Sequence, residues 1–185
     1  MANKRFWLGM LVMALVFGMA VIGCDNGTTD NGTDPALNGT WRLSMIDGIS
    51  VEDYYERFQG GLPETEIKFN NGNYETFMNG TPIFQATYTP SGNQITITPA
   101  RVHGDFFTLE LESKWYSKNE LKTALKALGL DDENIELIDV QLFSPQTLSY
   151  SVNGNTLVMT TTTTYEGEGE TKTVVTQTVT YTRKN

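Results

Sequence analysis

From Leu37 onward, apolar and polar residues alternate with a period of two along most of the chain. Trp41, Leu43 and Met45 alternate with Arg42 and Ser44, which predicts a strand with one buried face. The pattern recurs at Ile67 and Phe69, from Tyr74 to Met78, and at Phe84, Ala86 and Tyr88. It continues at Ile95 and Ile97, at Phe107, Leu109 and Leu111, and at Ile138, Val140 and Leu142. Leu148, Tyr150 and Val152 follow, and then two long runs over 156–165 and 171–183. Asn71-Gly72, Asn79-Gly80 and Asn153-Gly154 stand between such runs. Asn-Gly accepts the positive φ angles of a two-residue hairpin turn, so each predicts antiparallel neighbours. Pro90-Ser91-Gly92-Asn93 ends another run, and Glu166-Gly167-Glu168-Gly169-Glu170 reads as a solvated hairpin tip.

Two stretches leave this period. Val51, Tyr54, Tyr55 and Phe58 lie at helical spacing and stop at Gly60-Gly61 and Pro63, which predicts a short helix or a capped loop. Ser117 and Glu120 form a capping box, Leu121, Ala124, Leu125 and Leu128 an apolar stripe, and Gly129 a stop. Asp131-Asp132-Glu133 is expected to be a loop. About nine or ten short strands with one inserted α-helix predict a mainly all-β, antiparallel domain. Closing it up-and-down into a barrel leaves no long edge exposed; a β-sandwich is the alternative.

Composition narrows the partners. The chain of 185 residues has 13 basic and 22 acidic residues, and Lys4 and Arg5 both precede residue 24. So acidic a surface repels phosphate backbones, and no nucleic-acid partner is expected. Cys24 is the single cysteine, so the core must hold by packing alone. Length after residue 23 suits one domain with a substantial core.

Residues 1–23 have the three parts of a secretory signal: Lys4 and Arg5, the apolar run Phe6 to Val21, and the small residue Gly23. Val21-Ile22-Gly23-Cys24 resembles the lipobox of bacterial lipoproteins, where the signal is cut before the cysteine and the cysteine is acylated. The resemblance implies a membrane anchor through Cys24 and a place in the cell envelope, on an outer-membrane leaflet or on the inner membrane. Residues 25–36 have no side chain worth burying, so 24–36 are expected to be a lipidated tether and 37–185 the domain.

Gly39-Thr40-Trp41 on the first strand resembles the opening of lipocalins and their calycin relatives. In that family the tryptophan plugs one end of the barrel and an arginine near the end of the last strand packs over it. The resemblance implies Arg183 as the partner of Trp41: Val175, Val179 and Tyr181 mark the inward phase of the last strand, and Arg183 shares it. The chain departs from the family in lacking T-D-x-x-Y and in placing a helix before its last four strands.

Candidate binding residues follow from that outline. Tyr54 and Phe58 lie where such barrels carry a lid, with Tyr55 beside them and Gly60-Gly61 as a hinge. Phe84, Tyr88, Phe107 and Tyr150 lie in inward phase and would line an apolar cavity. His103 is the only histidine, so no haem, metal or other cofactor is expected. Asp131, Asp132, Glu133 and Glu136 lack the spacing of a calcium loop. Lys114, Lys118, Lys122 and Lys126, four apart, predict a basic stripe that faces solvent or lipid head groups. With no nucleophile elbow, P-loop or metal cluster in the sequence, the chain is not expected to be an enzyme. Two functions remain: a lipid-anchored barrel that binds a small apolar or amphipathic ligand, or a filled barrel acting as a surface module, such as an inhibitor, adhesin or envelope-assembly partner. The Thr-rich hairpin 156–182 and the lysine stripe are where such a module would present its patch.

Overall fold

The computed structural model describes residues 34–58, 63–107, 109–166 and 172–184. Residues 1–33, with the expected signal segment and Cys24, lie outside the described residues. The strands are β1 (Gly39–Ile46), β2 (Ile49–Ser50), β3 (Thr65–Asn70), β4 (Asn73–Met78), β5 (Thr81–Ser91), β6 (Gln94–His103), β7 (Trp115–Ser117), β8 (Gln146–Asn153), β9 (Thr156–Glu166) and β10 (Lys172–Arg183). The helices are α1 (Val51–Phe58), α2 (Lys118–Ala127) and α3 (Asp132–Phe143), with a single 3-10 turn at Gly104–Phe106.

Eight of the strands form a closed antiparallel barrel in the order β10-β9-β8-β6-β5-β4-β3-β1, with β1 pairing back onto β10. This is the up-and-down, lipocalin-like architecture, and it sets the sandwich aside. Hairpin chemistry fixes the register. Asn71 and Gly72 take φ of 46° and 84°, and Asn79 and Gly80 take 50° and 77°. Both angles are positive in each pair, which matches the twist of the flanking strands.

The inward phase of the strands fills the barrel. Trp41, Ile67, Phe69, Tyr74, Phe84, Ile95, Ile97, Leu157 and Tyr181 are all buried to within 2 % of complete. Phe69 meets Tyr74 and Tyr88 edge-on, with ring centres 5.1 and 5.0 Å apart. Burial pushes the hydroxyls of Tyr74 and Tyr181 well above the ordinary tyrosine range. Outside, the long β9–β10 hairpin carries threonines in facing pairs, with Thr160 and Thr162 opposite Thr178 and Thr176 at 3.4 and 3.5 Å between hydroxyls.

Four departures from the alternation have physical reasons. A register shift in β1 between Leu43 and Met45 turns Met45 outward and puts Ile46 inside. In β10, Val179, Tyr181 and Arg183 keep the inward phase, but Val175 is exposed because the hairpin there runs past the end of β1. Phe107, Leu109 and Leu111 form no strand; they belong to the irregular segment after the 3-10 turn. Ile138, Val140 and Leu142 belong to a second inserted helix, α3, which buries Ile135, Ile138 and Leu142 and leaves Val140 exposed. Asp131 is not in a free loop: its carboxylate accepts from the Asn134 backbone amide at 2.8 Å and caps that helix.

Candidate functional site

The barrel has two unlike ends. At one, the turns β3–β4, β5–β6 and β8–β9 meet the first described residues, 34–38, and the end of β10. Trp41 is wholly buried there, and its indole N–H donates to the Leu37 carbonyl at 2.7 Å. Arg183 pairs with Trp41 across the β1–β10 closure and holds its guanidinium 4.1 Å from the indole centre. The same guanidinium donates to the carbonyls of Asn38 at 2.6 Å and Ala36 at 2.8 Å. Gly39 has φ of 128° and lies so close that an added Cβ would stand 2.8 Å from the arginine Nη1. The backbone angle therefore favours glycine at the G-x-W, and a side chain there would displace the guanidinium. Stacking over an indole is worth about 0.5–2 kcal/mol.

Tyr88 and Tyr150 belong to this sealed end. The Tyr88 hydroxyl donates to the Asn38 side chain at 3.4 Å, and the Tyr150 hydroxyl donates to Asp34 at 2.8 Å. Burial, together with the hydrogen bond and charge of Asp34, pushes Tyr150 up to about 12. Burial raises Tyr88 as well. These tyrosines fasten residues 34–38 across the barrel end. Phe84 lies deeper, 1 % exposed and opposite Val102 on β6.

The other end is built from α1, the β4–β5 turn, and the segment after β6. Here Ile46, Ile83, Val102 and Tyr116 are buried, and Val51, Tyr54, Met78, Phe106, Phe107, Leu109 and Leu111 are only partly buried against the core. Phe106 and Phe107 meet edge-on, ring centres 5.2 Å apart. Phe58 ends α1, and its side chain lies outside the described residues. The structure thus brings Tyr54 and Phe107 to one end and places Tyr88 and Tyr150 at the other; the six candidates do not form one lining. Met78 and Phe106 were missed in the sequence reading. The usable signal was the Phe106-Phe107 doublet, two large adjacent apolar residues that no single strand face can bury.

The lysine stripe does not present free charge. Lys118 and Lys122 both reach Asp139 Oδ2 at 2.9 Å, Lys122 also approaches Glu136, and Lys126 meets Asp132 at 2.9 Å. Lys114 pairs with Glu112. The acids on α3 that resembled a loop cluster therefore neutralise the stripe on α2 and hold the two helices together. Burial works to raise Asp139, yet the hydrogen bonds from Lys118 and Lys122 outweigh it and keep the carboxyl below its ordinary range.

His103 ends β6 with its side chain mostly buried, and its ring lies edge-on to Trp115 at 5.1 Å. Ser113 donates to Asp105 Oδ2 at 3.0 Å, and His103 Nδ1 lies 3.4 Å from the same oxygen. The serine proton faces the carboxylate and not the imidazole, so this trio is a loop fastener and not a nucleophile–base pair. Among the described residues, no group of three or more His, Cys, Asp or Glu could hold a metal ion, and no helix is long and apolar enough to cross a membrane.

No family model, curated protein or solved structure matches the chain.

Proposed function

We propose that the chain is a cell-envelope lipoprotein of the lipocalin-like kind, anchored through acylated Cys24. Its barrel takes up a small apolar or amphipathic molecule at the unsealed end and does not alter it chemically. The observation that carries this reading is the asymmetry of the barrel. One end is locked by Trp41, Arg183, Tyr88 and Tyr150, while the other collects half-buried aromatic and aliphatic side chains. Apolar surface with a few orienting polar groups is the usual chemistry of a small-molecule site. Phe84 lies below that collar and belongs to its floor; Tyr54 and Phe107 belong to the collar itself.

The test is native mass spectrometry of the protein purified gently from its own host, followed by uptake from a panel of fatty acids and quinones. A co-purifying apolar mass that is lost in Phe107→Ser and retained in Tyr150→Phe supports the reading. A clean mass with no uptake sinks it.

The filled interior favours a second reading, a surface module that engages an envelope protein. Trp41, Phe69, Tyr74, Phe84 and Tyr181 are buried in the core, while Val174 and Val175 on the threonine-rich hairpin are 60 % and 45 % exposed. Crosslinking on intact cells separates the two: capture of one envelope protein that depends on Val174 and Val175 supports the module and not the ligand carrier.

A further inference from the structure

We infer that the sealed end of the barrel is the face turned toward the bilayer, and that the apolar collar opens away from it. The partner of the sealed face is the head-group layer of the membrane that holds the chain's own acyl groups. This rests on the acylation of Cys24.

Two independent observations point the same way. The first is where the chain enters the domain. Asp34, Ala36, Leu37 and Asn38 are bonded to Tyr150, Arg183, Trp41 and Tyr88, so the path from Cys24 arrives at the sealed end and is fixed there. Ten residues from Cys24 to Asp34 span at most about 36 Å even when fully extended. For the collar to face the lipid, that span would have to run back past the strands, roughly 20 Å for an eight-residue strand tilted to the barrel axis, so the connection favours the sealed end.

The second observation is the distribution of charge. The three turns at the sealed end are Asn70-Asn71-Gly72-Asn73, Ser91-Gly92-Asn93-Gln94 and Asn153-Gly154-Asn155-Thr156, without a single ionised group. Around them stand Asp34, whose carboxylate accepts from Tyr150, and the cations Arg183 and Lys184. The opposite end carries the acids. The insert 104–145 alone has nine (Asp105, Glu110, Glu112, Glu120, Asp131, Asp132, Glu133, Glu136 and Asp139) against four lysines. Glu52, Asp53 and Glu64 lie at the same end. Among the described residues, the sealed end carries no excess of negative charge, since Asp34 and Glu66 stand against Arg183 and Lys184. Anionic head groups repel the insert and tolerate the Asn-Gly turns, so the field orients the barrel the way the chain connection does. Repulsion acts over about one Debye length, ~8 Å at physiological salt, which is enough to hold the acidic end out of the head-group layer. A collar pointing away from the bilayer exchanges its ligand with the aqueous space or with another protein, and not by lateral entry from the lipid.

The test uses full-length protein with its lipid attached, reconstituted in phosphatidylethanolamine–phosphatidylglycerol vesicles. Cys24 is the only native cysteine and its thiol is consumed by acylation, so a fluorophore on a new cysteine reports one place. Asn93→Cys and Asn155→Cys mark the sealed end, and Thr81→Cys and Glu133→Cys the collar end; all four positions are exposed. A quencher on the lipid head groups should dim the first pair about threefold more than the second, given the separation of the two ends. Equal quenching, or stronger quenching at Thr81 and Glu133, overturns the orientation and leaves the anchor standing, provided that the protein floats with the vesicles. Protein that fails to float, like its Cys24→Ala variant, overturns the anchor and the orientation together.

Discussion

Asp34 and Tyr150 are 116 residues apart in sequence and share a hydrogen bond of 2.8 Å. The contact ties the incoming chain to β8 and makes the first described residues part of the barrel. Tyr150 is raised from 10.0 to about 12, first by burial and then by Asp34. An acid whose folded value is raised contributes stability in full below its ordinary value and loses it as pH climbs through the folded value. Wild-type protein should thus lose stability between about pH 10 and 12. Tyr150→Phe should cost about 0.5–1.5 kcal/mol at neutral pH and flatten that alkaline slope. Urea unfolding at pH 7, 10 and 11.5 measures both; an unchanged slope would show that the bond carries no linkage.

Arg183 does three things at once, stacking on Trp41 and donating to two carbonyls. Arg183→Met keeps much of the bulk and removes all of them, for an expected loss of about 2–4 kcal/mol. Gly39→Ala should cost a similar amount, since its Cβ collides with the guanidinium and its φ becomes strained. In the double variant the two losses should fall well short of adding, because both act on one contact. Full additivity in a double-mutant cycle would separate the sites.

Asp139 is held below its ordinary value of 3.8 by Lys118 and Lys122. A carboxylate depressed on folding contributes stability above its unfolded value and loses it as pH falls through the folded value. The helical insert should therefore come loose in acid below about pH 3.8. Asp139→Asn should bring that loosening to neutral pH at a cost of about 1–3 kcal/mol, toned down from a fully buried pair by the half-exposed lysines. Amide exchange along α2 and α3 reports it, with the barrel strands as the internal control.

Gly104 follows the last residue of β6, and its amide donates to the Lys114 carbonyl at 2.9 Å. A Cβ on residue 104 would land on the Glu112 carbonyl and press on the Tyr116 ring. Gly104→Ala should cost more than about 2 kcal/mol, because backbone and not a mobile side chain has to yield. The Trp115 near-ultraviolet signal should change with it. A silent substitution would mean that segment 105–114 repacks freely.

Strand alternation and Asn-Gly turns made the barrel legible, because both are local signals that the fold obeys. The helix over 132–143 escaped because Ile138, Val140 and Leu142 satisfy period two while Ile135, Ile138 and Leu142 satisfy the helical period equally well. Asp131 as a cap and Pro145 as a stop would have decided it. The β1 bulge left no mark in residue type, since Met45 and Ile46 are both apolar. The candidate site was legible only in part. Inward phase selects Tyr88, Phe84 and Tyr150, but phase does not say how far along the axis a side chain lies, and Tyr88 and Tyr150 lie at the end where residues 34–38 are bound.

At its upper edge β6 pairs with β8 only over Gln94–Ile97 and with β7 over Arg101–His103. Residues 104–145 are therefore hung on a seam: they leave from β6 and return to β8 without supplying any of the pairings that close the ring. What ties the segment to the ring is packing and not strand pairing within the ring, through Tyr116, Leu121, Leu125, Ile135, Ile138 and Leu142, which join the barrel core. The ring of hydrogen bonds is complete without the insert, which hangs from the seam as an appendage joined to the barrel by packing.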